Sequence, residues 1–427
     1  MSIAETFKDF LENIRITNTE QISNRYGEIT SCLNKTFRDT DSSSSNNLQV
    51  GSYGRKTAIR GISDLDMIYI MPSTRWEEYN VEGGQSNLLR DAKEAIKARY
   101  PRTDIFVDSP VVRVLYTNFH VEVQPAFEQP DGSFKYPDTR NGGSWKITKP
   151  REEISAIIEL DDEKNLNLRR LCKMVRAWKN KHGVAMGGLL IDTLAYNFLK
   201  STEEYDTKSY LYYDWMSRDF FQFLANQPEQ ERYAALGSGQ HVKVKEAFQK
   251  SAEKAHELCL KAIEASGKDN ENARWQKVYG SSFPAPAKQI AKATAHVFRD
   301  TEEFIEDRFP VDIRYKLKID CEVTQDGFQP GKLRKMLSKH FKLSPRKKLK
   351  FEIIDNQVPD GAQLYWKVLN RGVEAEQRDC IRGQIVNDKG YGNISEGTTF
   401  TGDHVVECYA VKNGVVVAKD RIHVPIE

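Results

Sequence analysis

The segment VGSYGRKTAIRGISDLDMIYIM, residues 50–71, decides how the rest of the chain is interpreted. It begins with the small pair Gly51-Ser52 and ends in an apolar run that is typical of a buried β-strand. Two acids, Asp64 and Asp66, lie at the start of that run. Side chains two residues apart on a strand point to the same side of a sheet, so the two carboxylates are predicted to face one site.

Two adjacent carboxylates repel each other unless a cation lies between them. Aspartate oxygens suit Mg²⁺, which binds one or two carboxylates together with substrate phosphates. The small Gly51-Ser52 pair would let a polyphosphate approach backbone N–H groups and the serine hydroxyl. The segment therefore predicts a metal ion and a phosphate chain held side by side.

A third acid is predicted on a later strand. Residues 111–116 and 119–123 are rich in β-forming residues, and Thr117-Asn118 between them indicates a hairpin. In the second strand Glu122 shares a face with His120, away from the apolar residues, and Pro125 is expected to end the strand. Together with the two aspartates, Glu122 would complete a two-metal site.

The order of these features resembles that of the polymerase-β-like nucleotidyltransferases and, more closely, the bacterial cGAS/DncV-like nucleotidyltransferases, which make cyclic oligonucleotide signals in anti-phage defence. Similar segments follow in the family's order: WKITKP at 145–150, a helix around 170–178, and WQKVYGSSFP at 275–284. Residues 316–427 resemble the adenylyl/guanylyl cyclase and SMODS sensor domain that is fused to some of these enzymes. The family usually has Asp as its third acid, whereas this chain has Glu122.

The resemblance implies an α+β fold with a polymerase-β-like nucleotidyltransferase core, a helical lobe and a separate β-sandwich-like C-terminal domain. We expect the catalytic lobe at 1–150, the helical lobe at 151–310 and the sensor domain at 311–427. Helical periodicity predicts helices within 3–38, at 87–99, at 186–199 and at 242–263, and no strand between 151 and 308. Short β-rich runs follow residue 310, with one helix at 331–340.

The resemblance also implies that a basic residue on the helix around 170–178 holds the triphosphate. Lys173 is preferred because a compact ammonium suits a point contact with phosphate, and Arg176 is the alternative on the same helix face. Lys56 and Arg60, in the turn after Gly51-Ser52, are either phosphate contacts or solvated charges. Asp192 is predicted to be a buried polar group with satisfied hydrogen bonds.

Composition restricts the classes of protein that fit. The chain has 427 residues, a formal net charge of +2 and six cysteines without a C-x-x-C pair, which argues against a zinc knuckle and gives no support for a nucleic-acid activator. Its mean hydropathy is −0.62. We therefore expect a cytoplasmic protein with free thiols, no signal peptide and no membrane contact.

The predicted function is Mg²⁺-dependent condensation of nucleoside triphosphates such as ATP and GTP into a cyclic di- or trinucleotide, with Mn²⁺ as a possible substitute. The resemblance implies a downstream effector that binds this product. A regulatory ligand could bind the C-terminal domain, where a set of polar and aromatic residues is either a pocket or core and capping residues: Trp366, Arg382, Glu396, His404 and Glu407. Two alternatives stay open, a linear nucleotidyltransferase and a non-catalytic nucleotide-binding module.

Overall fold

The computed structural model describes residues 2–285, 303, 305–325, 329–339, 341–370, 374, 382–398 and 401–427, with the backbone alone at 306, 307 and 403. The chain divides into two compact units. The first comprises residues 1–178 and 186–286, and the second comprises residues 179–185 and 287–427. The predicted boundaries at 150 and 310 remain predictions.

A mixed sheet is the centre of the first unit. Its strands are β1 (Asn47–Gln49), β2 (Asp64–Ile70), β3 (Ile105–Asp108), β4 (Val111–Leu115), β5 (His120–Glu128), β6 (Phe134–Asp138) and β7 (Ser144–Thr148). The strands are ordered β1-β2-β5-β4-β3, and β6 joins β5 to β7. β2 and β5 are parallel, whereas β4 and β5 form the antiparallel hairpin that the sequence predicts.

Helices precede, separate and follow these strands along the chain. They are α1 (Ile3–Asn13), α2 (Thr19–Arg38), α3 (Gly51–Gly54), α4 (Trp76–Tyr79), α5 (Gly84–Arg99), α6 (Pro150–Glu163), α7 (Asn167–His182), α8 (Gly188–Lys200), α9 (Tyr213–Ala225), α10 (Gln249–Ile263) and α11 (Glu271–Tyr279). Single 3₁₀ turns lie at Ser73–Arg75, Arg140–Gly142 and Tyr210–Tyr212.

Alternation along β2 and β5 separates a core face from a polar face. Leu65, Met67, Val121 and Val123 are buried in one cluster with apolar residues of α2 and α5. The residues between them therefore point to the other face of the sheet. This is why the acids of β2 and β5 are not drawn into the core.

Two expectations about strands in the first unit were wrong. Pro125 does not end β5, which continues to Glu128. The pairing of β5 with β4 stops at Val123 and its pairing with β6 starts at Phe127, so the proline lies where no neighbour on that side needs its missing N–H. A short hairpin, β8 (Arg232–Ala234) and β9 (His241–Lys243), also lies in the region predicted to be entirely helical.

The second unit is a β-sandwich. Its strands are β10 (Leu317–Thr324), β11 (Gly331–Lys332), β12 (Lys348–Asn356), β13 (Gln363–Leu369), β14 (Ile385–Asn387), β15 (Asn393–Gly397), β16 (Gly402–Lys412) and β17 (Val415–Ile426), with short helices α12 (Ile305–Arg308) and α13 (Leu333–Leu337). The two sheets are ordered β11-β10-β12-β15 and β14-β13-β16-β17. Residues such as Ile319 and Phe351 of one sheet share a core with Trp366 and Cys408 of the other, which confirms the predicted architecture.

The described ranges contain free cysteines and no membrane-spanning helix. The five cysteines there are unpaired thiols, at positions 32, 172, 259, 321 and 408, whereas Cys380 lies outside the described residues, as does Ile381 at the start of one predicted strand. None of the helices in these ranges has the length and apolarity needed to cross a bilayer.

Candidate active site

The parallel pairing of β2 and β5 brings the three predicted acids together. In the register Asp64 lies opposite His120, and Asp66 lies opposite Glu122. Paired residues on neighbouring strands point to the same side of the sheet, so the four side chains share the polar face. Asp66 and Glu122, more than fifty residues apart in the sequence, therefore lie on adjacent strands.

Three of these side chains form a compact donor set. Nε2 of His120 lies 3.8 Å from Oδ1 of Asp64 and 3.4 Å from Oε1 of Glu122. One ligand atom from each residue lies within 4.8 Å of the others. Asp64 also accepts a hydrogen bond from the neighbouring Ser63 hydroxyl. Two carboxylates and an imidazole at this spacing fit a divalent ion.

The Gly51-Ser52 turn lies directly against Asp66. The backbone N–H of Val50 donates to the carbonyl oxygen of Asp66 at 3.1 Å. Gly51 has φ +63, and a β-carbon built on it would lie 2.7 Å from Cγ of Asp66. Position 51 therefore requires glycine for two reasons: its backbone is left-handed, and the carboxylate of Asp66 approaches it closely. The turn and the acid are therefore in contact, so the predicted phosphate contact would lie next to a predicted metal ligand.

Arg113 is a site residue that the sequence analysis missed. Its guanidinium donates to Oε1 of Glu122 at 2.6 Å and lies 3.2 Å from Oδ2 of Asp108. Burial opposes ionisation of Glu122, but the imidazole of His120 and the charge of Arg113 outweigh it and lower the pKa of Glu122. A signal was present in the sequence, because Arg113 is the one charged residue in the apolar run VVRVLY opposite Glu122.

A buried ion network supports the turn from behind. Asp192 of α8 is 0% exposed and accepts hydrogen bonds from Arg55 at 2.9 Å and from Arg176 at 2.6 and 2.9 Å. Arg55 also donates to Glu153 of α6 at 3.0 Å. The prediction that Asp192 is a satisfied buried group is confirmed. Arg55 immediately follows α3, so the network joins the turn to three helices.

This network changes the assignment of the basic residues on α7. Arg176 is buried and its guanidinium is committed to Asp192 and to the carbonyl of Gly188, which speaks against the prediction that it contacts a nucleotide. Lys173 is half-buried, and no hydrogen bond or ion pair joins its ammonium to another described residue. Burial lowers its pKa, although the charge of Asp161 opposes this. Lys56 and Arg60 are exposed.

The candidate pocket of the C-terminal unit does not form as one site. Trp366 packs in the core, where its Nε1 donates to Asp388 at 2.9 Å. Trp366 is paired with Cys408, also in the core, so the adjacent Glu407 points to the opposite face of the sheet, 3.5 Å from Lys367. Arg382 forms a separate ion pair with Glu396 at 2.8 Å. A regulatory ligand of this unit stays a prediction.

Two domain families match this chain. Residues 1–161 match the Second Messenger Oligonucleotide or Dinucleotide Synthetase domain, and residues 299–427 match the Adenylyl/Guanylyl and SMODS C-terminal sensor domain. A probable cyclic nucleotide synthase of Bacillus cereus (strain VD146) is 21% identical over 276 residues, covering 55% of this chain and 81% of the relative.

Solved structures are similar in fold to part of this chain. The CdnC:HORMA-deltaN complex of E. coli MS115-1 contains a chain with 15% identity and a TM-score of 0.50, which covers 66% of this chain and 98% of its own length. Vibrio cholerae DncV in its apo form has 14% identity and a TM-score of 0.47, covering 56% of this chain and 69% of its own. With its two domain matches in the predicted order, the chain belongs to the cGAS/DncV-like nucleotidyltransferases and carries their C-terminal sensor domain.

Proposed function

We propose that this enzyme joins nucleoside triphosphates into a cyclic di- or trinucleotide and releases pyrophosphate. The observation that carries the proposal is the meeting of Asp64, Asp66 and Glu122 on one sheet face beside the Gly51-Ser52 turn. Catalysis by this arrangement would come from positioning and charge neutralisation, which dominate phosphoryl and nucleotidyl transfer. The names of the matching domain and of the Bacillus cereus relative support the same product class.

The three acids would hold divalent ions, Mg²⁺ or Mn²⁺. Bound ions of this kind neutralise the triphosphate and make a hydroxyl a better nucleophile. The chain's own residues position the reactants: the turn at Gly51-Ser52 lines the phosphates, and Lys173 contacts them from α7. A 2′- or 3′-hydroxyl then forms a bond with the α-phosphorus, and the bond from that phosphorus to the pyrophosphate oxygen breaks. A second such step closes the ring.

The proposed biological role is signalling in anti-phage defence. Its support is the domain arrangement, a synthetase domain followed by a sensor domain. A regulatory ligand would bind the sensor unit, and a separate effector would bind the cyclic product. The site of action that we propose is the cytoplasm.

The test is incubation of the purified chain with the four nucleoside triphosphates and Mg²⁺ or Mn²⁺, followed by phosphatase treatment and mass spectrometry. A cyclic product has no terminal phosphate and survives phosphatase, whereas a linear product loses its phosphates. Asp66→Asn should abolish pyrophosphate release, and Asp9→Asn, which changes an exposed acid of α1, should leave it unchanged. Product that phosphatase degrades, or full turnover by Asp66→Asn, would overturn the proposal.

A further inference from the structure

We propose that His120 is a nitrogen ligand of the metal site and that it makes the site select Mn²⁺ over Mg²⁺. The catalytic role of this ion rests on the proposed function. The ligand assignment itself rests on the position of one imidazole and on the groups around it.

His120 is built into the site and is shielded from water. Its residue exposure is 4%, and the parallel register places it beside Asp64 on the face that carries all the predicted acids. Nε2 faces one oxygen of Asp64 at 3.8 Å and one of Glu122 at 3.4 Å. The imidazole is therefore aimed into the space that the carboxylates surround.

Neither ring nitrogen of His120 makes a hydrogen bond within the described part of the chain. Leaving a buried polar group unsatisfied costs about 1–3 kcal/mol, so native proteins rarely keep one without a role. A protonated imidazole that paired directly with the acids would satisfy Nε2 by hydrogen bonding. At 3.4 and 3.8 Å, Nε2 makes no hydrogen bond to either carboxylate oxygen, while these oxygens accept hydrogen bonds from Arg113 and Ser63. A cation bound between the three groups would give Nε2 the partner that it lacks.

Arg113 decides which cation suits this set. Its guanidinium already neutralises part of the charge of Glu122 through the 2.6 Å hydrogen bond. Mg²⁺ relies on hard, anionic oxygen ligands and is disfavoured by that loss of charge. Imidazole nitrogen suits first-row transition metals better than Mg²⁺, and Mn²⁺ is the one among them that also suits carboxylate oxygens, so a nitrogen bond from His120 would offset for Mn²⁺ the charge that Arg113 removes. The hydrogen bond from Arg113 to Glu122 and the imidazole of His120 together therefore favour Mn²⁺ over Mg²⁺.

The experiment measures metal binding to the full-length protein without nucleotide. Electron paramagnetic resonance follows the loss of the free Mn²⁺ signal, and Mg²⁺ is then added as a competitor. Electron spin-echo envelope modulation of the bound Mn²⁺ reports directly coordinated ¹⁴N. We expect a ¹⁴N coupling in the wild type, its loss in His120→Asn, and a Mn²⁺ affinity that falls by roughly tenfold or more in that variant while Mg²⁺ affinity changes little.

His241→Asn is the matched control, because His241 is an exposed histidine on the short strand β9. This variant should keep both the ¹⁴N coupling and the Mn²⁺ affinity of the wild type. Absence of the ¹⁴N coupling in the wild type would overturn the proposal even if His120→Asn failed to fold. Persistence of the coupling, or an unchanged ratio of Mn²⁺ to Mg²⁺ affinity, in a folded His120→Asn would overturn it as well. Because nucleotide is absent, failure to find a cyclic product would refute the proposed function and leave this assignment standing.

Discussion

Replacing Asp192 with alanine should destabilise the first unit more than any substitution of an exposed acid. The carboxylate of Asp192 is 0% exposed and is shared by Arg55 and Arg176, whose side chains are 5% and 7% exposed. Its removal leaves two buried guanidinium groups with incomplete partners. Arg55 keeps its 3.0 Å bond to Glu153, and Arg176 keeps carbonyl oxygens at 3.1 and 3.2 Å.

The magnitude follows from two independent arguments. Removing one partner of a buried ion pair costs about 3–5 kcal/mol. The two arginines lower the pKa of Asp192 from 3.8 to about 2 although burial opposes ionisation. Because protonation is favoured in the unfolded state, this lowered pKa corresponds to roughly 2–3 kcal/mol of stability at pH 7. Both arguments place the loss near 3 kcal/mol, and the first unit, residues 1–178 and 186–286, then loses about 5 °C in its unfolding midpoint.

Scanning calorimetry at pH 7 provides the assay, since it separates the transitions of different units. Asp162→Ala is the control, because Asp162 is an exposed acid on α6, and it should stay within about 0.5 kcal/mol of the wild type. The folded-state pKa of Asp192 lies below its unfolded value. Its stabilisation is therefore complete above the unfolded pKa of 3.8 and is lost as the pH falls towards about 2, and Asp192→Ala should lack that part of the acid dependence. A midpoint within about 2 °C of the wild type would refute the reasoning.

The remaining predictions concern the phosphate side of the site. Gly51→Ala should lower pyrophosphate release at least tenfold, because the new methyl group would overlap the carboxylate of Asp66, whereas Gly132→Ala has an equally left-handed backbone but open space around it and should cost only about 1 kcal/mol of stability. Equal activity losses in the two variants would show that backbone strain alone is responsible. Lys173→Gln should raise KM for nucleoside triphosphate roughly tenfold or more, since a charged contact to phosphate is lost. A larger rise in Lys56→Gln would assign the contact to that exposed lysine instead.

Local patterns predicted the elements that hold the site. Alternation of apolar and polar residues around Asp64, Asp66 and Glu122 indicated two strands with their acids on a polar face, and both strands exist. The small Gly51-Ser52 pair indicated a turn open to phosphate, and the structure adds that Gly51 has a left-handed backbone and leaves room for the carboxylate of Asp66. The same reasoning predicted the strands of the C-terminal sandwich.

The sequence by itself thus determined the type of the strands that hold the site and the residue chemistry of the site, since both depend on the two-residue periodicity of strands and on side-chain type. Only the tertiary structure decided which charges meet. The parallel register of β2 and β5 sets His120 against Asp64, and the hairpin sets Arg113 against Glu122. Likewise, Arg176 pairs with Asp192 and does not face the predicted nucleotide site, because packing of α7 against α8 buries both side chains. Such pairings depend on distances between segments far apart in the chain, which no local pattern encodes.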